Sequence, residues 1–191
     1  MIAAFAGVQA ALFVAVLVGM GVRGRAVLFR HSLDAAAFRR AAVERVKAGE
    51  LASAARLAEA SRETWLGRVL GAALDARSVG EPPEGPLAEA LTEIRHDAFR
   101  GFVWFRGAAR LGPLLGLGAA AATLAVGHGA PAGPDPGIFG RGLTHMIVGV
   151  VTAFVAADAA RTIGLVALDQ VREATRLARA LDGILGEAAE G

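Results

Sequence analysis

Fifteen of the chain's twenty basic residues, Arg23 to Arg110, fall between its first two apolar stretches, and neither residues 1–22 nor residues 111–140 contain a lysine or arginine. This distribution constrains folding more than any motif, because Lys and Arg collect on the cytoplasmic flanks of membrane-crossing segments and are depleted from translocated ones. Residues 2–22 carry no charge and a single amide, Gln9. About 20 apolar residues cross the roughly 30 Å hydrocarbon layer as a helix, so this stretch predicts a span. Its positive residues, Arg23 and Arg25, follow the apolar core. A cleaved signal peptide would carry them in front, so the pattern predicts an anchor with its N-terminus outside.

The second stretch, residues 111–127, is preceded by Trp104 and Phe105 beside Arg106 and Arg110, a grouping suited to headgroup depth. It ends in GHGAPAGPDPG, whose prolines and glycines cannot continue a helix and predict a short outer loop at 128–137. The third stretch, 138–157, is interrupted by Arg141, Thr144, His145 and Thr152, and continues as an amphipathic pattern to about Gly186. Arg141 lies near its outer end, where a long side chain can snorkel. Asp158 and Arg161, three apart, form a candidate ion pair on one helix face.

The expected fold is therefore an all-α membrane protein with three transmembrane helices, at 1–22, 111–127 and 138–157. A helical cytoplasmic segment (23–110) lies between spans one and two, and a C-terminal cytoplasmic helix and tail cover 158–191. The orientation is N-out, C-in, multi-pass. In the middle segment Asp34 is a candidate N-cap for a helix that stops at Gly49. Further helices are expected at 51–61 and 64–76, then turn chemistry at 78–86, then a fourth helix from Leu87 running unbroken into the second span. No stretch alternates with period two, so no sheet is expected.

Composition narrows the function classes. Apolar residues make up 54% of the chain and the mean hydropathy is +0.49, high for a soluble domain. The pI of 10.3 comes with a net charge of only +2 and no clustered basic face, which argues against nucleic acid. Without cysteine there is no disulfide framework or thiol nucleophile. His31, His96, His128 and His145 lack the spacing of a metal motif, and the one lysine, Lys47, lies in a helical pattern rather than a phosphate loop. No enzyme, metal or cofactor is expected.

The spans hold the more specific features. Gly112 and Gly116 form a GxxxG pair, extended by Gly118 and the alanines that follow, and small residues let helix backbones approach closely in lipid. Pro113 would kink this helix. Polar groups in spans are functional candidates. Thr123, and Thr144 with Thr152 on one face of the third span, are candidate pore-lining groups, with His145 on an adjacent face. A hydroxyl can also bond its own helix four residues back.

The segment RLGPLLGLGAAAATL, residues 110–124, resembles the second-span motif of the MotA/TolQ/ExbB proton-channel family, usually of the form APLLGLLGTVxGM. FRRAAVERVKAGELASAARLAEA, residues 38–60, is similar to that family's cytoplasmic helices, and the three-span plan resembles its shorter TolQ/ExbB branch. Aligning Pro113 places the family's second-span threonine at Ala120. Counting from Gly137 and Ile138 places its third-span threonine at His145 and a later proline at Phe154. The resemblance implies a subunit of a proton-driven motor in the bacterial inner membrane, a homo-oligomeric ring, pentameric, around a single-span ExbD/TolR-like partner whose Asp carries the proton. The alternative is a non-conducting membrane scaffold whose cytoplasmic helices recruit partners. A soluble helical binding module would need residues 2–22 inside a core.

Overall fold

The computed structural model describes residues 2–29, 34–128 and 137–190. Most of the expected outer loop, residues 129–136, and His31 lie outside them. The described residues form seven helices and no strand: α1 (Ile2–Phe29), α2 (Ala35–Lys47), α3 (Leu51–Ala60), α4 (Trp65–Val79), α5 (Glu84–Phe99), α6 (Phe102–His128) and α7 (Ile138–Glu190). Apolar segments within Ala6–Val27, Glu84–Gly127 and Ile138–Glu187 are long and apolar enough to cross a membrane. By length and composition this is a membrane protein.

Helix boundaries follow local chemistry. The Asp34 carboxylate accepts hydrogen bonds from the backbone N–H groups of Ala36 and Ala37, at 3.0 Å each, which satisfies two of the orphan donors of α2. Thr64 caps α4 by accepting from the Gly67 N–H at 3.0 Å, while its own hydroxyl donates to the Ser61 carbonyl at 2.7 Å. A Cβ on Gly67 would run into that same carbonyl, so the tight 61–67 corner requires glycine. Helix α4 continues past the expected end at Ala76 and stops at Gly80, and α5 starts at Glu84, ahead of Leu87.

One expectation is overturned. The fourth helix does not run unbroken into the apolar segment: α5 ends at Phe99, Gly101 has φ of 86°, and α6 begins at Phe102. An L-residue with a side chain pays a steric cost there, and glycine does not. The apolar part of Glu84–Gly127 accordingly belongs to α6. In contrast, α6 passes through Pro113 as one helix.

The chain divides into two compact units, Met1–Gly24 with Gly101–Ile163, and Arg25–Arg100 with Gly164–Gly191. The second unit has a core of large side chains. On α4, Trp65, Val69 and Leu70 are buried, and α5 contributes Leu87 and Ile94. The end of α7 adds Ala167, Val171, Ala174, Ala178, Leu181 and Leu185, spaced four and three alternately as a helix seam requires. Arg39 on α2 meets Glu173 on α7 at 3.2 Å, and Arg68 on α4 meets Glu93 on α5 at 2.6 Å. These pairs are partly exposed, so they specify partners more than they stabilise.

The first unit inverts this pattern. Val16, Ala108 and Ala156 form its buried cluster, while Leu114, Leu117, Val150 and Phe154 are exposed. An outward apolar surface of this extent marks contact with something other than water. Gln9 meets His145, and Val16 packs with Ala156, so α1 and α7 run parallel. Helix α6 runs against both: Trp104 lies over Gly19, and Gly112 and Gly116 lie against Ala153 and His145.

Candidate functional site

Helices α6 and α7 approach closely at a crossing of three glycines. A Cβ on Gly149 would sit 2.5 Å from the Gly112 carbonyl oxygen and 2.9 Å from the Gly116 Cα. A Cβ on Gly112 would lie 2.7 Å from the Gly149 carbonyl oxygen, and one on Gly116 2.9 Å from the His145 carbonyl oxygen. Gly112 and Gly116 of the GxxxG pair thus meet Gly149, which with Ala153 forms a small-xxx-small pair on α7. Gly118 is half-buried on the same helix, beyond this crossing.

Beside the crossing lies a polar pair. The Gln9 amide Nε2 donates to the His145 backbone carbonyl at 2.6 Å, and Gln9 Oε1 lies 3.1 Å from His145 Nδ1. A carbonyl only accepts, so the amide NH2 must face it and the amide oxygen must face the ring. Nδ1 is therefore the donor, and in the neutral imidazole Nε2 holds the lone pair. Protonating Nε2 breaks neither contact with Gln9, because Nδ1 donates in both charge states. Gln9 is buried and His145 half-buried. The amide thus fixes the orientation of the ring through Nδ1 and leaves Nε2 turned away from Gln9.

In the sequence Gln9 stands out only as the one amide in its apolar stretch. That was itself the usable signal, since an unpaired amide in an apolar setting costs several kcal/mol on the order of 2–7 and so demands a partner. His145 as that partner is 136 residues away, and no local pattern shows it.

The threonines separate. Thr123 and Thr152 are each 1% exposed, and their hydroxyls donate to the carbonyls of Ala119 and Val148 at 2.8 and 2.7 Å. Thr144 is exposed, with its hydroxyl on the Gly140 carbonyl at 2.9 Å. The expected common face of Thr144 and Thr152 is a correction: eight residues at about 100° each overshoot two turns by about 80°, enough to put one inside and the other outside. The expected Asp158–Arg161 pair is also corrected. Both side chains are exposed, and no ion pair joins them among the described residues. At an exposed position a pair three apart gains little over solvation, and Arg161 instead lines a cleft with Arg106 and Arg110.

The second unit has a larger open groove of about 990 Å3, lined by small residues of α3, α4 and α5 and by Glu59, Arg62, Arg68, Asp75, Glu89 and Glu93. Among the described residues no group of three His, Asp or Glu could hold a metal. No protein-family model, curated protein or solved structure matches the chain.

Proposed function

We propose that the chain is a ring-forming subunit of a proton-motive-force-driven complex in the bacterial inner membrane, of the MotA/TolQ/ExbB kind, oriented N-out and C-in. Its α1, α6 and α7 helices line a proton path around the single-span helix of an ExbD/TolR-like partner. The observation that carries this reading is the Gln9–His145 pair. At the position where the resemblance places the family's third-span threonine, this chain has an imidazole held through Nδ1 and open at Nε2. Seven residues into α7, at about 1.5 Å each, His145 lies roughly 10 Å along the helix, within the hydrocarbon depth. An ionisable group at that depth is a functional candidate, and a carboxylate on the partner is its natural proton donor and acceptor.

A non-conducting scaffold is the second reading. Two observations favour it: Thr123 and Thr152 direct their hydroxyls to their own helices, and the acidic-lined groove on α3–α5 is of a size to receive a partner.

The test is mild detergent extraction with the mass of the intact complex, then proton flux in liposomes holding the chain and its co-purifying partner. Flux abolished by His145→Ala and lowered by Gln9→Leu, with the complex intact, supports conduction through this pair. An intact complex without flux in the unmodified protein leaves the scaffold.

A further inference from the structure

The first unit contains a second polar feature, at the opposite end of its helices from the start of α7. Arg106 and Arg110 on α6 and Arg161 on α7 line a cleft of about 380 Å3 with Ala109, Ala157 and Ala160. All three arginines are exposed, and none makes a hydrogen bond or ion pair with the described residues. Asp158, the acid next along α7, does not line the cleft. Three arginines lining one cleft without a carboxylate among its lining residues repel one another, an arrangement that an anion in the cleft relieves.

We propose that this cleft binds the phosphate headgroup of an anionic glycerophospholipid. Arginine forks match phosphate oxygens bidentately, and the alanine wall leaves room for the group. The volume is at the small end of the roughly 300–1,000 Å3 of ligand sites. The first residue of α6, Phe102, also lines the cleft, so the partial positive charge of that helix end adds to the field.

The neighbouring surface selects a lipid over a free phosphate. One turn from Arg110 on the same side of α6 is Leu114, 64% exposed, and two turns before Arg161 on α7 is Phe154, 73% exposed. The basic cleft thus continues into outward apolar side chains along the two helices, as a headgroup continues into acyl chains. Basic pockets between spanning helices are established headgroup sites, and in the orientation proposed above this one faces the cytoplasmic leaflet, where anionic lipids act on basic residues. The inference needs the helices to cross a membrane and is independent of proton conduction.

Native mass spectrometry of the full chain in detergent, titrated with dioleoyl phosphatidylglycerol or dioleoyl phosphatidylcholine, tests it. Phosphatidylglycerol is retained in preference to phosphatidylcholine. Each of Arg106→Gln, Arg110→Gln and Arg161→Gln weakens retention about fivefold. Ala157→Leu, which fills the cleft and leaves every charge, weakens it too, and Arg141→Gln at the other end of the unit does not. Equal retention of the two lipids, or phosphatidylglycerol binding unchanged in the triple Gln variant, overturns the site. Displacement of the lipid by excess inorganic phosphate overturns the lipid assignment in favour of a soluble phosphate. Helical circular dichroism on each variant identifies any that has failed to fold, and Arg110→Lys, which keeps the charge and loses the bidentate fork, then serves in its place, with retention expected between that of the unmodified chain and the Gln variants; retention equal to the unmodified chain overturns the fork.

Discussion

The two units solve the packing problem in opposite ways. The unit built on α2 to α5 and the end of α7 buries Trp65, Leu70, Ile94, Leu177 and Leu181. The unit built on α1, α6 and the first part of α7 buries mainly glycines and alanines, with a few larger residues such as Val16 and Phe105, and turns most of its large apolar side chains outward. A segment surrounded by hydrocarbon gains nothing by hiding leucine, since lipid is as apolar as the side chain. Close backbone contact and satisfied polar groups are what remain to hold its helices together. A segment surrounded by water gains about 25 cal/mol for each Å2 of apolar surface removed. The same alphabet of Ala, Leu and Gly is thus distributed inside out between the two.

The comparison breaks most easily at leucine. Leu70→Ala should destabilise the full chain in detergent by about 2–5 kcal/mol, read from chemical unfolding, because it opens a cavity in a buried site. Leu114→Ala, on the outward face of α6, should leave the midpoint within about 0.5 kcal/mol. Equal costs at the two leucines would end the inside-out account.

The next largest effect is expected at the glycine crossing. Gly149→Ala places a methyl against the Gly112 carbonyl and the Gly116 backbone, and overpacking of this kind costs about 1–3 kcal/mol. The readout is loss of the α6–α7 contact as cross-linking between cysteines introduced on the two helices. A crossing that tolerates alanine would mean that the helices are held by something other than close approach.

Capping supplies a smaller effect in the other unit. Thr64→Ala removes the acceptor for the Gly67 N–H and should cost about 1 kcal/mol, measured as a lower unfolding midpoint. The smallest change should have the opposite sign. Gly71 is inside α4 with no atom near the position of a Cβ, so Gly71→Ala should stabilise by about 0.5–1 kcal/mol through helix propensity. Gly71 is thus a liability where it stands and Gly149 a requirement, and the pair Gly71→Ala and Gly149→Ala measures that difference directly.

Much of the helical plan was legible before any coordinates. Asp34, Gly49 and the apolar spacing of residues 35–47 mark α2 closely, and Leu51 and Thr64 mark the starts of α3 and α4 within a residue. Such signals are local, because a cap and a left-handed glycine act within a turn of the residue that carries them. The break at Gly101 is not legible in the sequence because a single glycine between a polar and an apolar helix also fits an unbroken one, and only its φ distinguishes them. Thr144 and Thr152 part because an eight-residue interval is not a whole number of helical turns.

What the amino-acid sequence determined by itself is the helical class, three segments long and apolar enough to cross a membrane, and most of the caps. These follow from composition, periodicity and neighbours within a turn. Tertiary structure alone decided which glycine meets the GxxxG pair, that Gln9 reaches His145 and thereby assigns its ring protons, and that Arg161 joins Arg106 and Arg110 rather than Asp158. Each of these brings together residues far apart in the chain or selects one of several equally available neighbours. That choice is made by how helices of known direction cross, which no interval in the sequence encodes.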